Sequence, residues 1–195
     1  MNTPNLSTSV HALGAPSPWI ARWSHLLPSG CEVLDVACGS GRHLQWFASR
    51  GHQVVGVDRD TAAASLQVPA AQLVEADIEN GPWPFFTPQG LRHFGAVVVT
   101  NYLWRPLLPT LLQSLAPGGL LLYETFAAGN ESVGRPARPD FLLQPGELLQ
   151  ICVGLQVVAY ENGFVADPDR FVQRVAAFAP ALPSSAATTI SRHPL

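Results

Sequence analysis

The chain contains no lysine, and all eleven of its basic residues are arginine. This absence excludes a lysine nucleophile and a lysine Schiff base from any chemistry that the protein performs. Charged residues make up only 13% of the 195 residues, and the formal net charge at pH 7 is −3. A chain with this charge lacks the overall basic surface that nucleic-acid backbones require. We therefore expect nucleic acid to be an unfavoured partner.

Cysteine is also scarce, with only Cys31, Cys38 and Cys152. Their number is odd and their spacing is not that of metal ligands, so we expect reduced thiols and no metal site. His43 and His52 are expected to face solvent. No apolar run approaches the ~18 residues of a membrane span, and the first residues do not resemble a signal peptide. These absences predict a cytoplasmic protein without a membrane partner.

The most informative stretch runs from residue 31 to residue 58. A strand through Asp35 enters the turn 37–41, with the sequence ACGSG, and a helix follows from Arg42 to Arg50. The next strand, 53–57, ends at Asp58. A glycine-rich turn between strand and helix presents backbone N–H groups to a ligand, and a carboxylate after the next strand can accept hydrogen bonds from ribose hydroxyls. This stretch predicts a cofactor that contains a nucleoside.

Strands and helices alternate along most of the chain, which is typical of an α/β fold. The last two strands follow each other without a helix and must be antiparallel. We predict a Rossmann-like, seven-stranded, mostly parallel sheet with its last strand antiparallel and helices on both faces. Later strands are predicted at 72–77, 94–100, 120–126, 155–160 and 170–178, and further helices at 17–27, 62–66, 106–115 and 145–153. The expected domain is 17–179, between a flexible N-terminal arm (1–16) and a flexible tail (180–195).

Four segments together resemble the class I S-adenosylmethionine-dependent methyltransferases. They are VLDVACGSG (33–41), VVGVDRD (54–60), VEADIEN (74–80) and LAPGGLLLYETF (115–126). They occur in the order of that family's cofactor loop, ribose strand, adenine-binding step and turn before strand five. The resemblance spans about 19–178. More narrowly, the chain resembles bacterial proteins grouped with tellurite-resistance-type methyltransferases, a likeness that does not give a substrate.

The resemblance implies a set of cofactor-binding residues, and S-adenosyl-L-homocysteine as the product. They are Arg22, Asp35, Ala37, Gly39, Gly41, Asp58, Arg59, Asp77, Ile78 and Asn101. Ala37 stands where the family pattern has its first glycine. A nicotinamide or flavin enzyme is the competing interpretation of the same turn, but Leu44 occupies the position where such enzymes place a third glycine.

Several of these roles have alternatives. Asp35 either contacts the cofactor's amino group or interacts with the helix dipole. Arg59 either stacks on adenine or is an exposed arginine. Asp77 either accepts a hydrogen bond from the adenine amino group or caps a turn. Arg22 is expected near the cofactor carboxylate.

Catalytic candidates follow the fourth and fifth strands, because open α/β sheets bind ligands at the carboxyl ends of their strands. They are Asn101, Tyr102 and Glu124, and Glu124 is a base, a substrate ligand or an ion-pair partner of an arginine. The substrate candidates are Trp104, Arg105, Arg135 and Arg138, the last two in a long segment (127–145) that is either a lid or a solvated loop. Two arginines there would suit an anion.

The chain is thus predicted to transfer a methyl group to a small-molecule substrate by in-line displacement. An RNA or protein methyltransferase and a non-catalytic S-adenosylmethionine-binding protein are the alternatives. The oligomeric state is predicted only as a monomer or a homodimer.

Overall fold

A computed structural model describes residues 13–181 of the chain. Its centre is one sheet of seven strands in the spatial order β3-β2-β1-β4-β5-β7-β6. The strands are β1 (Glu32–Val36), β2 (Gln53–Asp58), β3 (Gln72–Glu75), β4 (Phe94–Thr100), β5 (Leu115–Phe126), β6 (Gln156–Val165) and β7 (Arg170–Phe178). Strands β1 to β5 pair in parallel, whereas β7 pairs antiparallel with both β5 and β6. The predicted fold class is confirmed.

Within residues 13–181, five short helices surround the sheet: α1 (Pro18–Trp23), α2 (Arg42–Ala48), α3 (Ala62–Gln67), α4 (Leu108–Gln113) and α5 (Glu147–Ile151). Ser17 caps α1 by accepting a hydrogen bond from the Trp19 N–H, and Pro18 occupies the first helical position. Helices α1 to α3 cover one face, here called the α1 face. Helices α4 and α5 contribute to the other, here called the α4 face.

Strand β4 shows why both faces are covered. Its sequence, FGAVVVT, is almost continuously apolar, as expected for a central strand buried on both sides. Val97 and Val99 join the core of the α4 face, whereas Ala96 and Val98 join the core of the α1 face. The same alternation along β5 decides which of its polar residues can reach a given side of the sheet.

The element bounds differ from the sequence prediction in a few places. Strand β5 already begins at Leu115, which pairs with Phe94 before a register shift. Asn162 and Gly163, which lie beyond the strand predicted at 155–160, pair with β7 inside β6, because β6 continues to Val165. A two-stranded hairpin (Phe86–Thr87 with Gly90–Leu91) was not predicted. Four 3-10 segments also occur: Ser24–Leu26, Arg105–Leu107, Asn130–Ser132 and Pro139–Phe141.

The predicted N-terminal arm and C-terminal tail fall largely outside the described residues, so their flexibility stays a prediction. Within 13–181, none of the helices combines the length and apolar character needed to cross a membrane. The same residues contain no group of three or more His, Cys, Asp or Glu side chains arranged to hold a metal ion.

Candidate active site

The turn between β1 and α2 has three residues in the left-handed backbone region. Ala37 and Gly39 both have φ of +54°, and Gly41 has φ of +86°. Glycine adopts this conformation freely, but for alanine it costs roughly 1–2 kcal/mol. A Cβ added at Gly39 would meet no atom within 4 Å, whereas one at Gly41 would lie 3.2 Å from Val68. Gly39 therefore leaves one side of the turn open, and Gly41 allows it to pack closely on the protein.

Asp58, at the end of β2, holds this turn in place. Its Oδ2 accepts a 2.8 Å hydrogen bond from the Gly39 N–H, and its Oδ1 accepts a 3.2 Å bond from the Asp60 N–H. A carboxylate has about four acceptor positions, so both oxygens can still accept from hydroxyl donors. Asp58 can thus bind a ribose without releasing the turn.

A first cavity lies at the carboxyl ends of the parallel strands, next to this turn. It collects most of the residues predicted to bind the nucleoside part of a cofactor. Its lining residues are Ala37, Asp58, Arg59, Asp77, Ile78, Glu79 and Tyr102. Residues from four strand ends thus meet in one place, as expected for an open α/β sheet.

Asp77 is engaged in a turn. Its Oδ1 accepts from the N–H groups of Glu79 and Asn80, and its Oδ2 accepts from the Asn80 side chain. The hydrogen bond from the Asn80 side chain, followed by the backbone hydrogen bonds, lowers the pKa of Asp77. The carboxylate therefore stays ionised and caps the turn, while Oδ2 keeps capacity for one more donor.

Asp35 lies beneath the turn with its side chain fully buried. Neither carboxylate oxygen has a hydrogen-bond partner among the described residues. Burial raises the pKa of Asp35 to about 8, although the positive charge of Arg42 opposes this shift. The expected contact with the helix dipole is thus not accompanied by a hydrogen bond, and the buried carboxyl group keeps unused hydrogen-bonding capacity.

His43, expected to face solvent, is instead only 2% exposed, and that expectation was wrong. It lies on the side of α2 that packs on the sheet, 3.9 Å from Asp35. Its Nε2 accepts a hydrogen bond from the Ser17 N–H, which places the proton on Nδ1. Burial, with a smaller effect of Arg42, lowers the pKa of His43 to about 3, so the ring is neutral.

A second cavity, of about 260 Å³, adjoins the first on the side of β4 and β5. It is lined by Glu79, Asn101, Tyr102, Leu103, Thr125, Phe126, Pro136 and Phe141. Asn101 has φ of +54°, and its N–H donates to the Glu124 carbonyl. This conformation turns the chain sharply after β4. The predicted candidates Asn101 and Tyr102 therefore line a cavity.

Tyr102 lines both cavities, and its hydroxyl is buried without a hydrogen-bond partner among the described residues. Burial raises its pKa, and the neighbouring charge of Glu79 adds to the shift. The phenol therefore keeps its proton at neutral pH and acts as a hydrogen-bond donor. Tyr123 supports it from below by donating a 2.9 Å hydrogen bond to the Tyr102 carbonyl.

Glu79 also lines both cavities, and the sequence analysis missed it. It stands two residues after Asp77, whose Oδ1 binds its N–H. The signal in the sequence was a second acid within VEADIEN, but an acid in an irregular segment is usually an exposed residue. Glu79 lies next to Tyr102 because the segments after β3 and β4 meet at the carboxyl ends of the strands, although β2 and β1 separate the two strands.

Glu124, predicted as a catalytic candidate, faces away from both cavities, which corrects that assignment. It shares the α1 face with Leu120 and Leu122, whereas its neighbour Thr125 lines the second cavity. Glu124 lies 3.1 Å from Arg174 and 3.5 Å from Arg170. Ser17 donates a further hydrogen bond to its Oε1. Of the three roles considered for this residue, the ion-pair role is the one that the structure supports.

Arg22, predicted near the cofactor carboxylate, points elsewhere. Its guanidinium lies 3.8 Å from Glu161 on β6 and 4.8 Å from the ring centroid of Trp23. Strand β6 is four strands away from β1, a separation of roughly 19 Å at the usual spacing of about 4.8 Å. The prediction for Arg22 was wrong, because α1 crosses the far half of the sheet.

Arg105, predicted to bind substrate, has a structural role instead. It makes a two-bond ion pair with Glu147, at 2.7 and 3.0 Å, and donates to the carbonyls of Asp140 and Leu142. Its donors are thus used to fasten the segment that follows β5. Trp104 packs partly buried against the core of the α4 face. The substrate roles of Arg135 and Arg138 stay predictions.

Comparison with known proteins agrees with this geometry. A family model described as a methyltransferase domain matches residues 33–119. The chain is 37% identical over 103 residues to trans-aconitate 2-methyltransferase of Paracidovorax citrulli, covering 49% of this chain and 38% of that protein. It is 30% identical over 131 residues to tRNA U34 carboxymethyltransferase of Pseudoalteromonas translucida, covering 60% and 41%. The chain thus spans about two-fifths of the length of these two curated relatives.

Solved structures share the fold at low sequence identity. TehB from Haemophilus influenzae superposes with a TM-score of 0.63 at 17% identity, over 83% of this chain and 61% of that chain. A toxoflavin-precursor N1-methyltransferase from Burkholderia thailandensis, with bound S-adenosylhomocysteine, superposes with a TM-score of 0.61 at 16% identity, over 84% and 77%. Residues 33–119 thus match a methyltransferase domain, and the described residues share the fold of solved S-adenosylmethionine-dependent methyltransferases.

Proposed function

We propose that the protein binds S-adenosylmethionine in the first cavity and transfers its methyl group to a small molecule in the second cavity. The observation that carries this proposal is that Glu79 and Tyr102 line both cavities. Two ligands that occupy these cavities would meet at this pair. Such contact is what direct transfer requires, because the reacting atoms must approach within about 3–3.5 Å.

The residues of the first cavity fit the cofactor. Asp58 has acceptor capacity for ribose hydroxyls, and Asp77 keeps one acceptor position for an adenine amino group. Arg59 is exposed beside them and can stack on a base. Asp35, buried with two unpartnered oxygens, is the candidate for the cofactor's amino group, through a hydrogen bond or an ion pair.

When bound, S-adenosylmethionine supplies a methyl group on a positively charged sulfur, which is already an activated leaving group. The protein has to orient the acceptor, exclude water and remove a proton from the acceptor nucleophile. Tyr102 orients the methyl acceptor, because its protonated hydroxyl can donate a hydrogen bond to it. We assign proton removal to the Glu79 carboxylate. The nucleophile forms its bond to the methyl carbon, the carbon–sulfur bond breaks with its electrons on sulfur, and the proton passes to Glu79.

A small-molecule acceptor is supported by the size of the second cavity, about 260 Å³, and by its mixed apolar and polar lining. The relative that acts on trans-aconitate also supports it. An RNA acceptor is the second candidate, supported by the tRNA-modifying relative. The net charge of −3 weighs against it. The three free cysteines support a cytoplasmic location.

Calorimetry with S-adenosylmethionine, S-adenosylhomocysteine and NAD tests the cofactor assignment. We expect both sulfur compounds to bind and NAD not to bind, and the reverse result would overturn the proposal. Methyl-labelled cofactor incubated with a metabolite extract and with total RNA then tests the acceptor. Label in low-molecular-weight products supports a small molecule, and label in RNA supports the second candidate. Binding without label in either fraction would indicate a non-catalytic protein.

A further inference from the structure

A third cavity, of about 400 Å³, adjoins the second cavity. The two share Pro136 and Phe141, and the third is completed by Arg135, Ala137 and Arg138. A molecule that extends from the second cavity past Pro136 and Phe141 would meet a wall with two arginines. The second cavity has an acid and three other polar residues among apolar ones, and the third cavity adds positive charge to an apolar wall.

The two arginines are not equivalent. Arg138 lies 2.9 Å from the Asp140 carboxylate and 5.2 Å from the ring centroid of Phe141. Arg135 is exposed and has no ion pair or hydrogen bond among the described residues. An arginine with a local counter-ion gains less from a new anion than one whose donors are free. Arg135 is thus the better anion partner.

Buried contacts hold the wall that carries Arg135. The Asn130 side chain is only 1% exposed and donates a 2.9 Å hydrogen bond to the Pro136 carbonyl, while accepting a 3.1 Å bond from the Phe171 N–H of β7. On the other side, Arg105 fastens the carbonyls of Asp140 and Leu142. The backbone on both sides of the third cavity is therefore anchored to the sheet or to α5.

Opposite charges on the two adjoining cavities set the direction of a bound molecule that spans both. The second cavity carries the Glu79 carboxylate, which repels an anion, and the third cavity carries Arg135, which attracts one. Leu103, Phe126 and Phe141 provide an apolar stretch between them. We infer, on the basis of the proposed function, that the methyl acceptor is a small organic anion with an apolar body, whose anionic group binds Arg135 and whose nucleophile points to Glu79.

Matched pairs of ligands test this inference. Benzoate, phenylacetate, 3-phenylpropionate and cinnamate are each compared with the corresponding primary amide, by calorimetry on the full chain with saturating S-adenosylhomocysteine. We expect at least one acid to bind about tenfold more tightly than its amide, the effect of one charge-assisted hydrogen bond. Arg135→Gln should abolish that difference. Arg50→Gln, which removes an exposed arginine that follows α2 and lines none of the three cavities, should leave it unchanged.

The outcomes separate the two proposals. If no acid binds better than its amide, including the case in which none binds, the inference is wrong. It is also wrong if Arg135→Gln keeps the preference. S-adenosylhomocysteine affinity, measured first on each variant, reports the fold and the cofactor site. If the unmodified protein did not bind S-adenosylhomocysteine, that result would instead contradict the proposed function.

Discussion

Asp35 and His43 face each other in the interior, with 3.9 Å between Asp35 Oδ2 and His43 Nδ1. Neither group is expected to carry a charge at neutral pH, because burial raises the pKa of Asp35 to about 8 and lowers that of His43 to about 3. The acid directly beneath the turn is therefore neutral in the free protein.

This pair predicts a pH dependence of stability. The unfolded chain ionises Asp35 near pH 4, whereas the folded protein keeps it protonated up to about pH 8. The unfolded state thus binds fewer protons in this window, so this group lowers the free energy of unfolding as pH rises from about 4 to about 8. Asp35→Asn should match the original protein near pH 4 and become progressively more stable than it towards pH 8. Urea unfolding at several pH values measures this difference, and a constant difference would contradict the buried neutral acid.

Asp58→Ala is expected to weaken S-adenosylhomocysteine binding by about 1–3 kcal/mol, because donors in the bound complex lose their acceptor. Calorimetry measures the change. Asp169→Ala, in the exposed turn between β6 and β7, is the matched control and should bind normally. Equal affinities for the two variants would refute the ribose role of Asp58.

Glu124→Gln should lower the free energy of unfolding by about 3–5 kcal/mol, because it leaves Arg174 and Arg170 without their buried counter-ion. Glu161→Gln, which removes an exposed acid that also pairs with Arg174, should cost less than about 1 kcal/mol. Chemical unfolding gives both values. If Glu124→Gln were as stable as the original protein but unable to transfer methyl groups, a catalytic role would have to be restored.

Ala37→Gly should stabilise the protein by about 1 kcal/mol, because glycine relieves the left-handed conformation at φ +54°. Ala48→Gly, at the end of α2 with ordinary helical geometry, should destabilise it by about 0.5–1 kcal/mol. Thermal unfolding distinguishes the two signs. Destabilisation by both substitutions would show that Ala37 is not strained.

Arg105→Gln should release the segment that follows β5, since three anchoring partners lose their donor. Hydrogen exchange by mass spectrometry should show faster exchange in residues 127–145, with S-adenosylhomocysteine binding unchanged. Arg138→Gln removes only an exposed ion pair and should leave exchange nearly as it was. Unchanged exchange in Arg105→Gln would contradict the anchoring role.

Local sequence patterns determined the sheet, the turn and the strand-end acids. β-branched runs, the ACGSG turn and acids at 58 and 77 depend on contacts between near neighbours, so they can be interpreted without coordinates. The predicted residues that line the first cavity, Ala37, Asp58, Arg59, Asp77 and Ile78, all lie at the end of a strand or within about three residues of it. The family resemblance added the identity of the ligand.

Only the tertiary structure decided which side of the sheet a residue faces and what it meets there. The alternation along β5 directs Glu124 to the α1 face and leaves Thr125 at the cavity. Because α1 packs over the far strands of the sheet, Arg22 lies next to Glu161 and away from the first cavity. Because α5 packs beside Arg105, this arginine forms an ion pair with Glu147. Glu79 and Tyr102 meet because β3 and β4 end at the same edge of the sheet. Contacts between distant segments depend on the packed geometry of the whole sheet, which no local pattern contains.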